Sequence, residues 1–234
     1  MDDCAKTITY TLTADSGRVE RFELCLDPEQ LKFIPQPGHV PAEWARLDNF
    51  RCPNCTLDAT LLTYCPVAAN LSPLLGPLDV LSHEESEVRV DVAERTYTKR
   101  APMQNVASSI MGIVMVTSGC PVLDMLRPMV DTHLPFATWE ETAYRMVTMY
   151  LFGQYMKFRE GGEPDWQMER LMELFDEVET VNTSFCRRLD TIRTNDASVN
   201  AVNILNAMSA MTKMTITDAE FDRWKVIFQA YVRP

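Results

Sequence analysis

The sequence has no basic character and no long apolar run. Of its 234 residues, 22 are Lys or Arg and 33 are Asp or Glu, so the formal net charge is -11. A protein that binds nucleic acid or an anionic membrane surface carries clustered positive charge, and neither partner is expected here. No segment approaches the ~20 apolar residues of a membrane span, and the N-terminus has no basic start followed by an apolar stretch. We therefore expect a soluble, unexported, cytoplasmic protein.

The usual enzyme signatures are also missing. There is no Walker A, G-x-S-x-G or G-x-G-x-x-G motif, which removes the sequence case for a P-loop NTPase, a serine hydrolase or a Rossmann enzyme. None of the three histidines forms a zinc-protease motif, and no Glu-x-x-His pair indicates a di-iron bundle. The sequence favours a non-enzymatic role.

The N-terminal part, residues 1–102, predicts a small antiparallel sheet. Residues 7–13 and 19–26 alternate between apolar and polar side chains around a turn, which is typical of a β-hairpin, and residues 87–98 carry a third strand pattern. Residues 35–82 hold seven of the fourteen prolines, so this Pro/Cys-rich segment is not long regular structure.

The second part, residues 103–234, predicts a helical bundle. Helices are expected at 103–117, 121–132, 137–159, 165–190, 195–213 and 217–231. Two of them begin with a capping-box pattern, Thr138 with Glu141 and Thr217 with Glu220. The expected fold is α+β, with the sheet and the Pro/Cys-rich segment packed against the bundle as one compact unit. Because residues 143–158 are apolar nearly all round, they predict the central helix.

One eleven-residue pattern occurs twice, at residues 65–75 and 120–130, with the shared skeleton C-P-V-x-x-x-L-x-P. Proline is favoured at the first helical position, which predicts that Cys65 and Cys120 are the N-caps of two short helices. The positive end of a helix dipole lowers the pKa of a thiol at that place. The repeat predicts two similar helices related by a local pseudo-twofold axis, and ordinary helix-start composition is the alternative.

Cys52 and Cys55 add a C-x-x-C pair, a spacing that lets two sulfurs turn toward one ion. With Cys65 and Cys120 they form a candidate Cys4 metal site, for which zinc in a structural role is favoured because four thiolates leave no open position. An iron-sulfur cluster and a redox-active dithiol at Cys52 and Cys55 are the alternatives. A third possibility is an acidic protein-interaction domain, without metal, whose thiols are core residues.

The remaining candidates are weaker. Without an export signal all seven cysteines are expected to stay reduced, and Cys25 and Cys186 are predicted core residues. His133 is the reserve metal ligand, although a cation capping the end of the predicted helix 121–132 is the alternative interpretation. The helical surface is available for a protein partner.

The motifs Cys52-Pro53-Asn54-Cys55, Cys65-Pro66-Val67-Ala68, Thr117-Ser118-Gly119-Cys120-Pro121-Val122 and His133-Leu134-Pro135-Phe136 occur in this order. Together they resemble a family of uncharacterised bacterial proteins, and the resemblance covers most of the chain. It implies a bacterial, cytosolic protein and carries no established activity.

Overall fold

A computed structural model describes residues 6–78, 82–192, 196–217 and 220–232. The described strands are β1 Lys6–Ala14, β2 Val19–Leu26, β3 Glu85–Val92 and β4 Arg95–Pro102. The described α-helices are α1 Pro66–Leu75, α2 Met103–Thr117, α3 Trp139–Arg159, α4 Glu169–Leu189, α5 Asp196–Thr217, α6 Glu220–Ile227 and α7 Gln229–Val232. Two 310 helices span Glu43–Ala45 and Leu123–Val130. Within these described helices, none has the length and apolar character needed to cross a membrane.

The four strands form one antiparallel sheet in the order β2-β1-β3-β4. Ile8, Tyr10 and Leu12 of β1 alternate onto the buried face, and Tyr10 is paired with Phe22 on one side and Val90 on the other. The predicted sheet is confirmed, with one strand more than the sequence indicated. Residues 87–98 are divided by a tight turn at positions 93–94, because the apolar alternation of β3 ends where the chain reverses into β4.

The helical part packs on the buried face of the sheet, and the predicted α+β class is confirmed. Buried side chains of the sheet, α1, α2, α4 and α5 belong to one hydrophobic cluster that draws on both parts of the chain. Among the described helices α2 is buried most continuously, with ten of its fifteen residues buried.

The prediction that residues 143–158 form the central helix is wrong. In α3 only the N-terminal half faces the core, through Ala143, Met146, Val147 and Tyr150. Beyond them the helix extends past the core, so that Phe152 is 63% exposed. An all-round apolar composition does not distinguish a central helix from one whose end is uncovered.

One of the two predicted capping boxes lies within the described residues. The Thr138 capping box is confirmed, because the Glu141 amide donates to the Thr138 hydroxyl at 3.2 Å and the Thr138 amide donates to the Glu141 carboxylate at 2.8 Å. The second predicted box includes positions 218 and 219, which lie outside the described residues. The helix predicted after Pro164 starts later, at Glu169.

Two glycines are expected to respond in opposite ways to alanine. Gly119, just before Cys120, has φ of +90°, a conformation that strains an L-residue, so Gly119→Ala should lower the free energy of unfolding by about 1–2 kcal/mol. Gly153 lies in the interior of α3 with open space beside its Cα, and Gly153→Ala should raise it by about 1 kcal/mol. Urea unfolding of both variants measures the difference, and equal shifts would contradict this account.

Candidate metal centre

Four cysteines from three separate segments line one small cavity of about 30 Å³. They are Cys52, Cys55, Cys65 and Cys120, and each is half-buried with a free thiol. The cavity lies against α4, which contributes Val181, Ser184, Phe185 and Arg188 to its wall. The structure therefore brings together all four cysteines that the sequence singled out, although residues 55 and 120 are far apart in the chain. We call this space the cysteine cavity.

The C-x-x-C pair forms a tight turn that is fixed at both ends. The Cys55 amide donates to the Cys52 carbonyl at 3.0 Å, and the Arg51 guanidinium donates to the carbonyl of Cys55 at 3.1 Å. Between the two cysteines, the Asn54 side-chain amide donates to the Glu177 carbonyl of α4 at 3.0 Å. These bonds hold the turn against α4 independently of the thiols.

Cys65 is the N-cap of α1, as predicted, with Pro66 at the first helical position. Its amide donates to the Ala45 carbonyl at 2.9 Å, and its carbonyl accepts from the Ala69 amide at 2.8 Å. The Cys65 thiol makes no capping hydrogen bond, so the sulfur is not engaged by the helix that it precedes.

Cys120 departs from the prediction, because the helix that follows begins at Leu123 and its N-cap is Val122. The Cys120 amide donates to the Ser118 hydroxyl at 3.3 Å across the left-handed turn at Gly119. Burial raises the pKa of the Cys120 thiol, and hydrogen bonds from the Leu123 and Val122 amides only oppose that rise.

The expectation of a lowered thiol pKa is therefore wrong for Cys120. Cys52 behaves in the same way: burial, with the neighbouring Cys65 thiol, raises its pKa to about 11 despite a hydrogen bond from Ser184. Burial is the largest effect on both pKa values, because both sulfurs line a cavity that α4 helps to enclose.

The two copies of the repeat adopt different helices. The first is the α-helix α1, whose buried residues Val67, Ala68, Leu71 and Leu75 have α-helical spacing. The second is the 310 helix Leu123–Val130, whose buried residues are Leu123, Leu126 and Val130. The copies thus do not form the pair of similar helices that the sequence predicted.

A residue that the sequence analysis missed lies beside the thiols. Arg188 of α4 is 3% exposed, and its guanidinium donates to the carbonyls of Trp44 at 2.7 Å, Arg46 at 2.9 Å and Phe50. The guanidinium also lies 5.6 Å from the centre of the Phe50 ring. Its spacing was a usable signal, because it follows Val181 and Ser184 on the same helical face.

The four thiols line one cavity, but they are not arranged as metal ligands. Within the described residues, no three or more Cys, His, Asp or Glu side chains are placed as a metal-binding group.

The two cysteines predicted to be core differ from each other. Cys186 is half-buried against the core, with Sγ 3.6 Å from the Asn203 side-chain oxygen.

Cys25 does not fit the expectation that all seven thiols are free. It is disulfide-bonded and only half-buried. Its neighbours Leu24 and Leu26 occupy the buried face of β2, so Cys25 lies on the opposite face of an edge strand, where it is open to a partner thiol.

His133, the reserve ligand, lies in a different and larger cavity of about 440 Å³. Its Nε2 is 2.7 Å from the hydroxyl of Tyr10, which is also 2.6 Å from the Ser109 hydroxyl. Burial lowers the pKa of His133 to about 3, with Arg145 and Lys6 adding to the effect. The interpretation of His133 as a helix-capping cation is wrong, because the half-buried imidazole pairs with the Tyr10 hydroxyl and its lowered pKa favours the neutral form.

Comparison with known proteins places the chain in a sequence family. A family profile described as Domain of unknown function (DUF6901) matches residues 8–229. The chain belongs to this family. The match spans the sheet, the cysteine cavity and nearly all of the helical part, and it brings no activity with it. No curated protein and no solved structure matches the chain.

We predict that Arg188→Ala will lower the free energy of unfolding by about 3 kcal/mol, because three carbonyl acceptors lose a buried charged donor. The exposed neighbour Arg187 is the matched control, and Arg187→Ala should change it by less than about 0.5 kcal/mol. Urea unfolding monitored by circular dichroism measures both. Similar values for the two variants would show that the Arg188 bonds contribute little.

His133 should make the fold sensitive to mild acid. Its folded pKa lies below that of a free histidine, near 6.5, so the unfolded chain takes up a proton first and stability falls as the pH drops from about 6.5 toward 3. From pH 7 to 5 this loss is about 2 kcal/mol. His133→Gln, which stays neutral, should remove that part of the pH dependence in urea unfolding. Parallel pH profiles for the variant and the natural chain would contradict the assignment.

Proposed function

We propose that this is a metal-binding protein whose Cys52, Cys55, Cys65 and Cys120 hold one structural zinc ion. The observation that supports it best is the convergence of these four cysteines, from three separate segments, on one cavity. Zinc prefers four thiolate ligands in tetrahedral structural sites, and the C-x-x-C turn already brings two of them together.

One buried positive charge lies beside the cavity. Arg188 lines it with a buried guanidinium whose described partners are three neutral carbonyls. Arginine is not deprotonated in proteins, so its positive charge is held in a low-dielectric setting. Zinc with four thiolates carries a net negative charge, which the Arg188 charge offsets. Metal binding also removes the thiol protons that burial otherwise retains on Cys52 and Cys120.

The size of the cavity favours a single ion over a cluster. A volume of about 30 Å³ holds no more than a few water molecules. A bare ion fits such a space, whereas an iron-sulfur cluster with several iron and sulfide atoms requires the walls to move apart. An iron-sulfur cluster on the same cysteines is therefore the second candidate.

The proposed role of the ion is to join three parts of the chain. Cys52 and Cys55 belong to the irregular segment between β2 and α1, Cys65 begins α1, and Cys120 precedes the 310 helix. A site closed by four protein ligands has no position for a substrate, which favours a non-enzymatic function. We also propose a cytoplasmic setting in a bacterium that keeps these four thiols reduced, and the disulfide at Cys25 on the outer face of β2 is the exception to it.

Elemental analysis of protein purified without oxygen tests the proposal. We expect about one equivalent of zinc and a colourless solution. Cys52→Ser, Cys55→Ser, Cys65→Ser and Cys120→Ser should each lose most of the metal and lower the melting temperature, because a structural ion contributes to folding. Cys186 is free, half-buried and lies outside the cysteine cavity lining, so Cys186→Ser is the matched control and should retain the ion.

Other outcomes separate the alternatives. A brown solution with visible absorbance and bound iron would support the cluster in place of zinc. Metal-free protein that melts like the four serine variants would contradict both metal proposals. In that case a Cys52 or Cys55 thiol that reacts rapidly with alkylating reagent would support a dithiol, and slow reaction would leave an interaction domain with core thiols.

A further inference from the structure

The structure contains a second, larger cavity, which also borders the 310 helix. It has a volume of about 440 Å³ and is enclosed by α2, the 310 helix Leu123–Val130, residues 131–138, the start of α3 and the middle of α5. Protein interiors are close-packed and rarely leave a space larger than a few water molecules. A cavity of this size is in the range of small-molecule sites. We call it the apolar cavity.

The wall is mainly hydrocarbon. Its apolar side chains come from every enclosing element and include Ile113, Leu126, Phe136, Met146, Leu205 and Met208. A site with this lining gains from burying an apolar body and gains little from a fully polar ligand. Phe136 has φ of +62°, an uncommon conformation for a bulky residue, and it lines this cavity.

Two cations line the same cavity. Lys99 of β4 is exposed, with its ammonium 5.7 Å from the centre of the Phe136 ring. The Arg145 guanidinium donates through one nitrogen to the Met129 carbonyl and to the Thr132 carbonyl at 2.8 Å, which leaves its other nitrogens for a further acceptor. Burial lowers the pKa of Arg145, a sign that its charge is poorly solvated.

Neither cation has a carboxylate partner in the described part of the chain. Several surface arginines do pair with acids, as Arg89 does with Asp91 and Arg100 with Asp15. The acid that acts on Arg145, Glu141, accepts a hydrogen bond from the Thr138 amide in the capping box. Lys99 and Arg145, which form no ion pair within the described residues, thus line one apolar cavity in a chain with a net charge of -11.

We infer that the apolar cavity binds a small amphipathic monocarboxylate. Its carboxylate lies beside Arg145 and Lys99, and its hydrocarbon body lies among the side chains of α2, the 310 helix and α5. A guanidinium and an ammonium are the groups that recognise a carboxylate, and the apolar wall selects a ligand with a hydrocarbon body. The inference does not depend on the zinc proposal, since it concerns a different cavity.

The probes are decanoate, 1-decanol and decyltrimethylammonium, which share a hydrocarbon chain and differ in head-group charge. Calorimetric titration of the whole protein near pH 7.5 should show saturable binding of decanoate, weaker binding of decanol and the weakest binding of the cation. Lys99→Met should lower the affinity for decanoate by up to about fivefold, the range of an exposed ion pair, and leave the affinity for decanol unchanged. Lys157→Met is the control, because Lys157 is an exposed lysine outside the cavity and its substitution removes the same charge.

A cavity-filling variant tests the location. Val116 is half-buried on α2 and lines the cavity. Val116→Phe should therefore lower the affinities for decanoate and for decanol by about tenfold or more each. Equal affinity for the three probes would overturn the assignment of a carboxylate site. Unchanged binding in Val116→Phe, with normal circular dichroism, would place the ligand elsewhere and overturn it too. If that variant does not fold, the comparison of Lys99→Met with Lys157→Met decides, and equal affinities in those two would overturn the inference.

Discussion

The buried charge of Arg188 is the constraint on which the cysteine cavity depends. A guanidinium cannot lose its proton, so its burial in α4 must be matched by acceptors. Carbonyls of Trp44, Arg46 and Phe50 supply them, which fixes the path of the chain over α4 just before the C-x-x-C turn. Asn54 continues the same attachment four residues after Phe50. The thiols therefore meet because polar bonds position the backbone that carries them.

The sequence predicts those parts of the site that have a local signal and misses those that depend on contacts between distant residues. Cys52, Cys55, Cys65 and Cys120 were found because cysteine beside proline or in a C-x-x-C pair is a local signal. Their contact through space, and the Arg188 bonds that produce it, are not local. The spacing of Arg188 after Val181 and Ser184 indicates the buried face of α4, but it does not indicate which carbonyls the guanidinium binds.

The fold divides in the same way. The Thr138 capping box and the alternation of β1 and β2 are properties of neighbouring residues, and the sequence predicts both. The central place of α2 in the core, in contrast to the exposed end of α3, depends on which helices cover one another. The pKa of Cys120 was predicted in the wrong direction for the same reason, since a helix end is a local feature whereas burial depends on the elements packed around the thiol.

The 310 form of the second repeat copy has a consequence for the distance that the copy spans. Eight residues rise about 16 Å as a 310 helix and about 12 Å as an α-helix. The same short segment borders both cavities. Cys120, three residues before the helix, lines the cysteine cavity, while Leu123 and Leu126 form part of the wall of the apolar cavity. The copy that departs from the α-helical pattern is thus the shared partition between the two sites.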